Sequence, residues 1–230
     1  MTLTHATVAF DVAIPATDLD GAAIGLPGRL ALPESGIGLV LFAHGSGSSR
    51  FSPRNMFVAS VLHEAWIGTL LFDLLTPQEE IDRTNVFDIR LLADRLMAAM
   101  RFVAQHEQMR HLPIGLFGAS TGAAAALVAA AEEPGVAVVV SRGGRPDLAG
   151  PALAQVHAPT LLIVGGNDVE VLLLNRQALA ALPCEKRLAI VPGATHLFEE
   201  PGALEEAARV AAEWCARHLG AATGTRITGG

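Results

Sequence analysis

Cysteine and lysine are scarce in this sequence, and it contains no long apolar run. The two cysteines, Cys184 and Cys215, lie far apart and show no metal-ligand spacing, so we expect neither a disulfide nor a cysteine-based metal site. No apolar stretch reaches the roughly 18 residues that a membrane-spanning helix needs. Residues 1–19 lack the basic start and apolar core of a secretory signal, so we expect a cytoplasmic protein that does not associate with membranes.

The chain is acidic, with a formal net charge of −7 at pH 7. Lys186 is the only lysine, and the arginines form no basic stripe, which argues against a nucleic-acid partner. The eight histidines are scattered rather than clustered with carboxylates, which disfavours a metal-dependent hydrolase. We therefore expect no metal and no cofactor.

Apolar runs alternate with helical patterns along the chain, which predicts an α/β fold with a mostly parallel central sheet of about eight strands and helices on both faces. The predicted strands cover residues 6–12, 28–32, 38–43, 67–72, 112–117, 136–140, 160–164 and 187–191. The predicted helices cover residues 53–65, 85–108, 120–133, 146–156, 171–181 and 201–219. A length of 230 residues fits one domain, predicted over residues 1–220, with a flexible tail over residues 221–230.

The most informative motif is Gly-Ala-Ser-Thr-Gly at residues 118–122, between a predicted buried strand and an alanine-rich helix. A serine with glycine two residues away on each side is the pattern of a nucleophile elbow, a sharp turn that exposes the serine oxygen. Composition alone predicts roughly 0.08 chance matches in a chain of this kind, so the motif needs support from its context. The strand-to-helix junction supplies that support and makes Ser120 the candidate nucleophile.

A carboxylate and a histidine follow two later strands, in the order that a hydrolase would need. Asp168 follows the apolar run 160–164 through a Gly-Gly turn, and His196 follows the strand 187–191 through a glycine-containing loop. Because parallel strands end at one edge of a sheet, Ser120, Asp168 and His196 can meet there as nucleophile, acid and base. The alternative for Asp168 is a helix-capping role, with Glu170 as the substitute acid.

This order of nucleophile, acid and base resembles that of the α/β-hydrolases, and the chain is most similar to their small, dienelactone-hydrolase-like branch. The resemblance implies an α/β-hydrolase fold, and the absence of a long insertion after the strand 136–140 implies that no large cap domain covers the site. Dienelactone hydrolases proper carry a cysteine nucleophile, so the serine favours ordinary ester chemistry. Residues 44–50, His-Gly-Ser-Gly-Ser-Ser-Arg, also resemble bacterial hydrolase-like domains that occur alone or fused to a phosphoribosyltransferase.

The resemblance places an oxyanion hole after the strand 38–43. We assign its two donors to the backbone N–H groups of Ser46 and Thr121, which would stabilise the negative charge of a tetrahedral intermediate. We expect His44 to be structural, with its ring bracing the loop.

Four arginines lie near the predicted edge of the sheet: Arg50, Arg54, Arg142 and Arg145. One interpretation is that they brace loops through ion pairs, for instance with Asp73 or Asp147. The other is that they bind a carboxylate or phosphate on the substrate, because a guanidinium binds oxyanions in a bidentate manner.

These patterns together predict a serine carboxylesterase that hydrolyses small esters or lactones through an acyl-enzyme on Ser120. A thioesterase or acyltransferase with the same triad is an alternative. A ligand-binding module that keeps the fold but turns over slowly is a second alternative. We expect the partner to be a small-molecule ester and the protein to be a monomer or homodimer.

Overall fold

An eight-stranded sheet forms the centre of the protein in the computed structural model, which describes residues 7–227 and the side chains of residues 7–222. The strands are β1 (Thr7–Thr17), β2 (Ala23–Pro33), β3 (Gly38–Ala43), β4 (Ile67–Phe72), β5 (Ile114–Ala119), β6 (Val136–Arg142), β7 (Thr160–Gly165) and β8 (Lys186–Val191). Their order across the sheet is β1-β2-β4-β3-β5-β6-β7-β8, and all pairs except β1–β2 and β2–β4 are parallel. The predicted mostly parallel sheet of about eight strands is confirmed.

Helices cover both faces of this sheet: α1 (Pro53–Glu64), α2 (Ile89–Gln105), α3 (Thr121–Glu132), α4 (Val169–Ala181) and α5 (Ala203–Ile227). Helices α1 and α5 share one apolar core, in which Val58 and Ala211 pack with Phe42 of the sheet. Helices α2 and α3 share the core on the opposite face. Every residue of β3, β4 and β7 is buried, which explains why these strands are continuous apolar runs rather than alternating ones.

The first hairpin is longer than predicted. The predicted strands covered residues 6–12 and 28–32, whereas β1 and β2 pair in register from Thr7–Pro33 to Thr17–Ala23. The turn is short because the Asp18 carboxylate accepts hydrogen bonds from the backbone N–H groups of Asp20 and Ala22. Pro15 is tolerated because β1 is an edge strand. The predicted first strand began at residue 6, which lies outside the described residues.

Helix α2 also begins later than predicted. Residues 85–87 form a 3-10 turn, and Asp88 ends it by accepting a hydrogen bond from the Leu91 N–H at 3.0 Å. Asp88 is therefore the N-cap of α2, and the apolar spacing that suggested an earlier start continues through the 3-10 turn.

Strand β6 and helix α5 both continue past their predicted ends. Strand β6 runs to Arg142 rather than ending at residue 140, so this arginine belongs to the sheet. Helix α5 runs to Ile227, into the segment predicted as a tail, and residues 228–230 of that prediction lie outside the described residues.

The connection between β6 and β7 is short and carries no large cap in the part of the chain that the structure describes. Its main element is the 3-10 segment Pro146–Gln155, which bends at Gly150 (φ 53°). Over residues 7–227 we find no helix with both the length and the apolar character needed to cross a membrane.

Helix α3 approaches the sheet so closely that its first turn leaves no room for a side chain. A Cβ atom on Gly122 would lie 2.1 Å from the carbonyl oxygen of Ala43, and one on Gly118 would lie 2.3 Å from the Cα of Ala123. Both neighbours are backbone atoms, which cannot turn aside as a flexible side chain would. The two glycines of the elbow are therefore required by packing between β3, β5 and α3.

We predict that Gly122→Ala lowers the free energy of unfolding by at least about 1–3 kcal/mol, because the added methyl group overpacks this contact. Gly135→Ala is the matched control, since a Cβ atom there would meet nothing within 4 Å. Urea denaturation of both variants measures the difference. Equal stabilities of the two variants would contradict the close approach of α3 to β3.

Candidate active site

Ser120 lies in the sharp turn between β5 and α3. Its backbone has φ 52° and ψ −122°, in a region that residues other than glycine rarely adopt. The turn is held by two hydrogen bonds to the Ser120 carbonyl oxygen, one from the Ala123 N–H and one from the Arg145 N–H, both at 3.1 Å. This is the strained geometry of a nucleophile elbow, and the Ser120 side chain makes no capping hydrogen bond to α3.

Asp168 and His196 lie at the ends of two neighbouring strands, β7 and β8, and their side chains meet. His196 Nδ1 is 2.7 Å from Asp168 Oδ2, a distance typical of a charge-assisted hydrogen bond. Asp168 makes no side-chain hydrogen bond to the first turn of α4, so the helix-capping interpretation of this residue does not hold. The structure brings Asp168, and not Glu170, into contact with the imidazole.

Ser120 and His196 line the same cavity, which has a volume of about 250 Å³. Among the described residues no direct hydrogen bond joins their side chains. Catalytic hydrogen bonds are often long or poorly aligned in structures without substrate, so the missing contact does not exclude either residue from the predicted triad.

The loop that carries His196 is anchored by Phe198, which the sequence analysis missed. Phe198 has φ 56° although it is not a glycine, and its ring is buried. The ring lies against Gly143, where an added Cβ atom would be 3.3 Å from Phe198 and 3.0 Å from the carbonyl oxygen of His196. The sequence offered one signal, an aromatic residue two positions after the loop histidine. Only the structure shows that this ring is buried and contacts Gly143.

The loop after β3 packs directly against Ser120. A Cβ atom on Gly45 would lie 2.9 Å from the Cβ of Ser120, so only glycine allows this approach. The next backbone N–H, that of Ser46, donates a hydrogen bond of 3.1 Å to the side-chain oxygen of Thr121. The sequence analysis treated the Ser46 N–H as a free donor, whereas the structure pairs it with the Thr121 hydroxyl.

His44 stabilises this loop through both nitrogens of its ring. Its buried ring bonds to the Gly45 carbonyl oxygen through Nδ1 at 3.0 Å, and its Nε2 accepts a hydrogen bond from the Leu74 N–H at 3.1 Å. These partners require a neutral ring with the proton on Nδ1. Burial lowers the pKa of His44 below its ordinary value, which keeps the ring neutral. The bracing role expected for His44 therefore agrees with its contacts.

The structure separates the four predicted arginines into two groups. Arg50 forms an ion pair with Asp73, and Arg145 forms a two-pronged pair with Asp147 at 2.7 and 2.8 Å. Both interactions brace loops, so these two arginines have their charges matched within the protein. These contacts favour the loop-bracing interpretation for Arg50 and Arg145, and neither residue is among those that line the cavity beside Ser120.

Arg54 and Arg142 form the second group, and both line the cavity beside Ser120. Arg142 is buried, and burial together with the nearby charge of Arg54 lowers its pKa to about 10. One nitrogen of its guanidinium donates to the side-chain oxygen of Asn55 at 3.2 Å. Asn55, in the first turn of α1, is a second site residue that the sequence analysis missed.

A family model described as the dienelactone hydrolase family matches residues 75–219, which is more than half of the chain and includes all three candidate triad residues. The chain belongs to the dienelactone hydrolase family. Among solved structures, a dienelactone hydrolase from Anabaena variabilis is 53% identical, with a TM-score of 0.86, and the match covers 92% of this chain and 99% of that one.

More distant structures share the fold of this family member. Est1E from Butyrivibrio proteoclasticus is 16% identical with a TM-score of 0.73, over 92% of this chain and 98% of that one. An esterase domain from Rhodothermus marinus is 20% identical with a TM-score of 0.71, over 94% of this chain and 100% of that one. The fold is thus that of α/β-hydrolases, and the family supports a hydrolase.

Two curated relatives from strains of Mycobacterium tuberculosis are 58% identical over 197 residues, and each is described as "Putative phosphoribosyl transferase". The match covers 85% of this chain and 44% of each relative. The chain therefore spans less than half of the length of the curated relatives that it matches.

Proposed function

We propose that this protein is a serine carboxylesterase that acts on small esters or lactones. The observation that carries the proposal is the 2.7 Å contact between Asp168 and His196, because His196 lines the same cavity as the strained Ser120. The three residues follow three separate strands and are linked through this cavity and this contact. Membership of the dienelactone hydrolase family supports hydrolysis as the reaction class.

In the proposed reaction, Ser120 Oγ attacks the acyl carbon of the ester while its proton passes to His196 Nε2. Asp168 holds the opposite ring nitrogen in its protonated form and stabilises the imidazolium that results. The tetrahedral intermediate collapses when the bond to the alcohol oxygen breaks, and His196 returns the proton to the departing alcohol. Water then repeats the sequence on the acyl-enzyme, releasing the acid and free Ser120.

The negative charge on the tetrahedral intermediate falls next to the amino end of α3, where the helix dipole and the Thr121 N–H favour an anion. We assign a second role to the Thr121 side chain. By accepting the Ser46 N–H, its hydroxyl holds the loop after β3 against α3 and keeps its own proton available to the oxyanion. The oxyanion hole then depends on the Thr121 hydroxyl as well as on backbone groups.

The curated relatives described as phosphoribosyl transferases are more than twice as long as the matched segment, and the segment shared with this chain is the part that folds as a hydrolase. A phosphoribosyl transferase activity of the longer proteins therefore need not reside in the shared segment.

We predict that Ser120→Ala and His196→Ala each abolish hydrolysis of p-nitrophenyl esters by the wild type, assayed from acetate to decanoate. Nucleophile and base act as one unit, so each loss should reduce kcat by several orders of magnitude. Ser60→Ala, an exposed serine on α1, should retain wild-type turnover. Product analysis with added alcohol or thiol separates hydrolysis from acyl transfer. Wild-type turnover that persists in Ser120→Ala would remove Ser120 as the nucleophile.

We predict that Thr121→Val lowers kcat by roughly 10²–10³-fold, the effect of losing one oxyanion-hole donor, while KM changes little. Thr121→Ser keeps the hydroxyl and should retain activity within a few-fold of the wild type. Thr121→Val replaces the hydroxyl by a methyl group of similar size, whereas Thr121→Ser keeps the hydroxyl and removes the methyl group. Steady-state kinetics on the best p-nitrophenyl ester measures both. If Thr121→Val matches Thr121→Ser, the hydroxyl has no part in the oxyanion hole.

A further inference from the structure

Helix α4 is apolar along nearly its whole length but is poorly covered by the rest of the protein. All but four of its 13 residues are apolar, and the exceptions are Glu170, Asn175, Arg176 and Gln177. Only Asn175 and Ala178 are buried. A helix that is apolar on every side is normally buried on every side. Helix α4 therefore exposes surface that its composition predicts to be covered.

Asn175 fixes which side of α4 faces outward. Its side chain is 0% exposed and donates hydrogen bonds to the carbonyl oxygen of Gly144, in the loop after β6, at 2.9 Å and to that of Val171 at 2.8 Å. The helix thus turns an amide inward and leaves Leu173 56% and Val169 70% exposed. This orientation gives up apolar burial. Such departures from ordinary patterning occur where a surface has a role.

The exposed residues of α4 form one stripe, which we call the outer face. Its members recur at intervals of three and four residues, which is the spacing of one side of a helix. They are Val169, Glu170, Leu173, Arg176, Gln177, Ala180 and Ala181. Leu173 lies between the two charged members, which are three positions before and three positions after it in the sequence.

The two charges of the outer face are Glu170 and Arg176. Neither forms an ion pair with another residue in the part of the chain whose side chains the structure describes, residues 7–222. They do not suit each other within one helix either, because they are six positions apart and helical ion pairs form between residues three or four apart. The outer face therefore carries an acid and a base that the protein does not pair.

These charges are placed symmetrically about Leu173. If a second α4 packs antiparallel, with the two Leu173 side chains at the centre, Glu170 of each copy lies at the level of Arg176 of the other copy. One contact then contains two complementary pairs of charges, as an interface between identical surfaces requires. A parallel arrangement would instead bring like charges to the same level. The charge pattern therefore fits a second copy in the antiparallel direction.

We propose that the outer face of α4 binds a second copy of this chain in a two-fold symmetric dimer, in which the two α4 helices pack antiparallel about Leu173. The dimer covers the exposed apolar residues and supplies a counter-charge to Glu170 and Arg176 of both copies. A helix of 13 residues is only about 20 Å long, so the interface is small and the dimer should dissociate on dilution.

Sedimentation velocity tests the apolar centre of this interface. The wild type should pass from monomer to dimer between about 1 and 200 μM. Leu173→Asp should remain a monomer over this range, because two carboxylates would meet at the centre of an apolar contact. Leu19→Asp is the matched control and should dimerise like the wild type. Leu19 is 57% exposed but lies in the turn between β1 and β2, at the other end of the sheet.

Charge reversal tests the antiparallel register. Glu170→Arg or Arg176→Glu alone brings like charges to the same level in both halves of the contact, and each should raise the dissociation constant at least about 10-fold. The double variant exchanges the two charges and should dimerise within a few-fold of the wild type. Circular dichroism should show the wild-type fold for all three variants, because both positions are exposed.

Loss of the dimer in Leu173→Asp, together with its recovery in the double variant, would support the proposal. A wild type that stays monomeric at the highest concentration would overturn it, and the outer face would then belong to a different partner. A dimer of unchanged strength in Leu173→Asp would place the contact on another surface. A double variant as weak as the single ones would exclude the antiparallel pairing. Each result is read from oligomeric state alone, so it does not depend on ester hydrolysis.

Discussion

The site depends on the backbone contact between the first turn of α3 and the end of β3. This contact has room only for Gly122, and it forces the chain at Ser120 into a positive φ of 52°. The strain is sustained because the sheet and the helix are both fully packed on either side of the turn. The same closeness brings the loop of Gly45 and Ser46 against Ser120. The strained turn and the position of this loop are therefore two results of one packing constraint.

The parallel sheet brings the other candidate site residues next to this turn. Strands β5, β7 and β8 are far apart in the sequence but end at one edge of the sheet, so Ser120, Asp168 and His196 need only short loops to meet. Rigid anchors hold those loops: His44 fixes the loop after β3, and Phe198 fixes the loop of His196. The site residues lie in short loops rather than in long insertions. This agrees with the absence of a large cap domain over residues 7–227.

Short sequence patterns were sufficient to predict the strands of the sheet, the elbow and the residues at the strand ends. Each of these features is determined by residues that are close together in the sequence. The bounds of β3 and β4 and the N-cap Ser52 of α1 follow directly from apolar runs and capping chemistry.

The hairpin turn at Asp18 was missed because alternating burial in an edge strand leaves a weak apolar signal. The choice among the four arginines could not be made from sequence, since it depends on contacts between residues up to 145 positions apart. The pairing of Ser46 with Thr121 is equally non-local, at 75 positions.

Covalent labelling is the sharpest test of whether Ser120 is a nucleophile activated by His196. The protein is treated with an alkyl fluorophosphonate, and the modified peptide is identified by mass spectrometry. We expect one adduct, on Ser120, that forms much more slowly in His196→Ala. Absence of an adduct in the wild type, or an adduct on Ser46 or Ser48 instead, would contradict it.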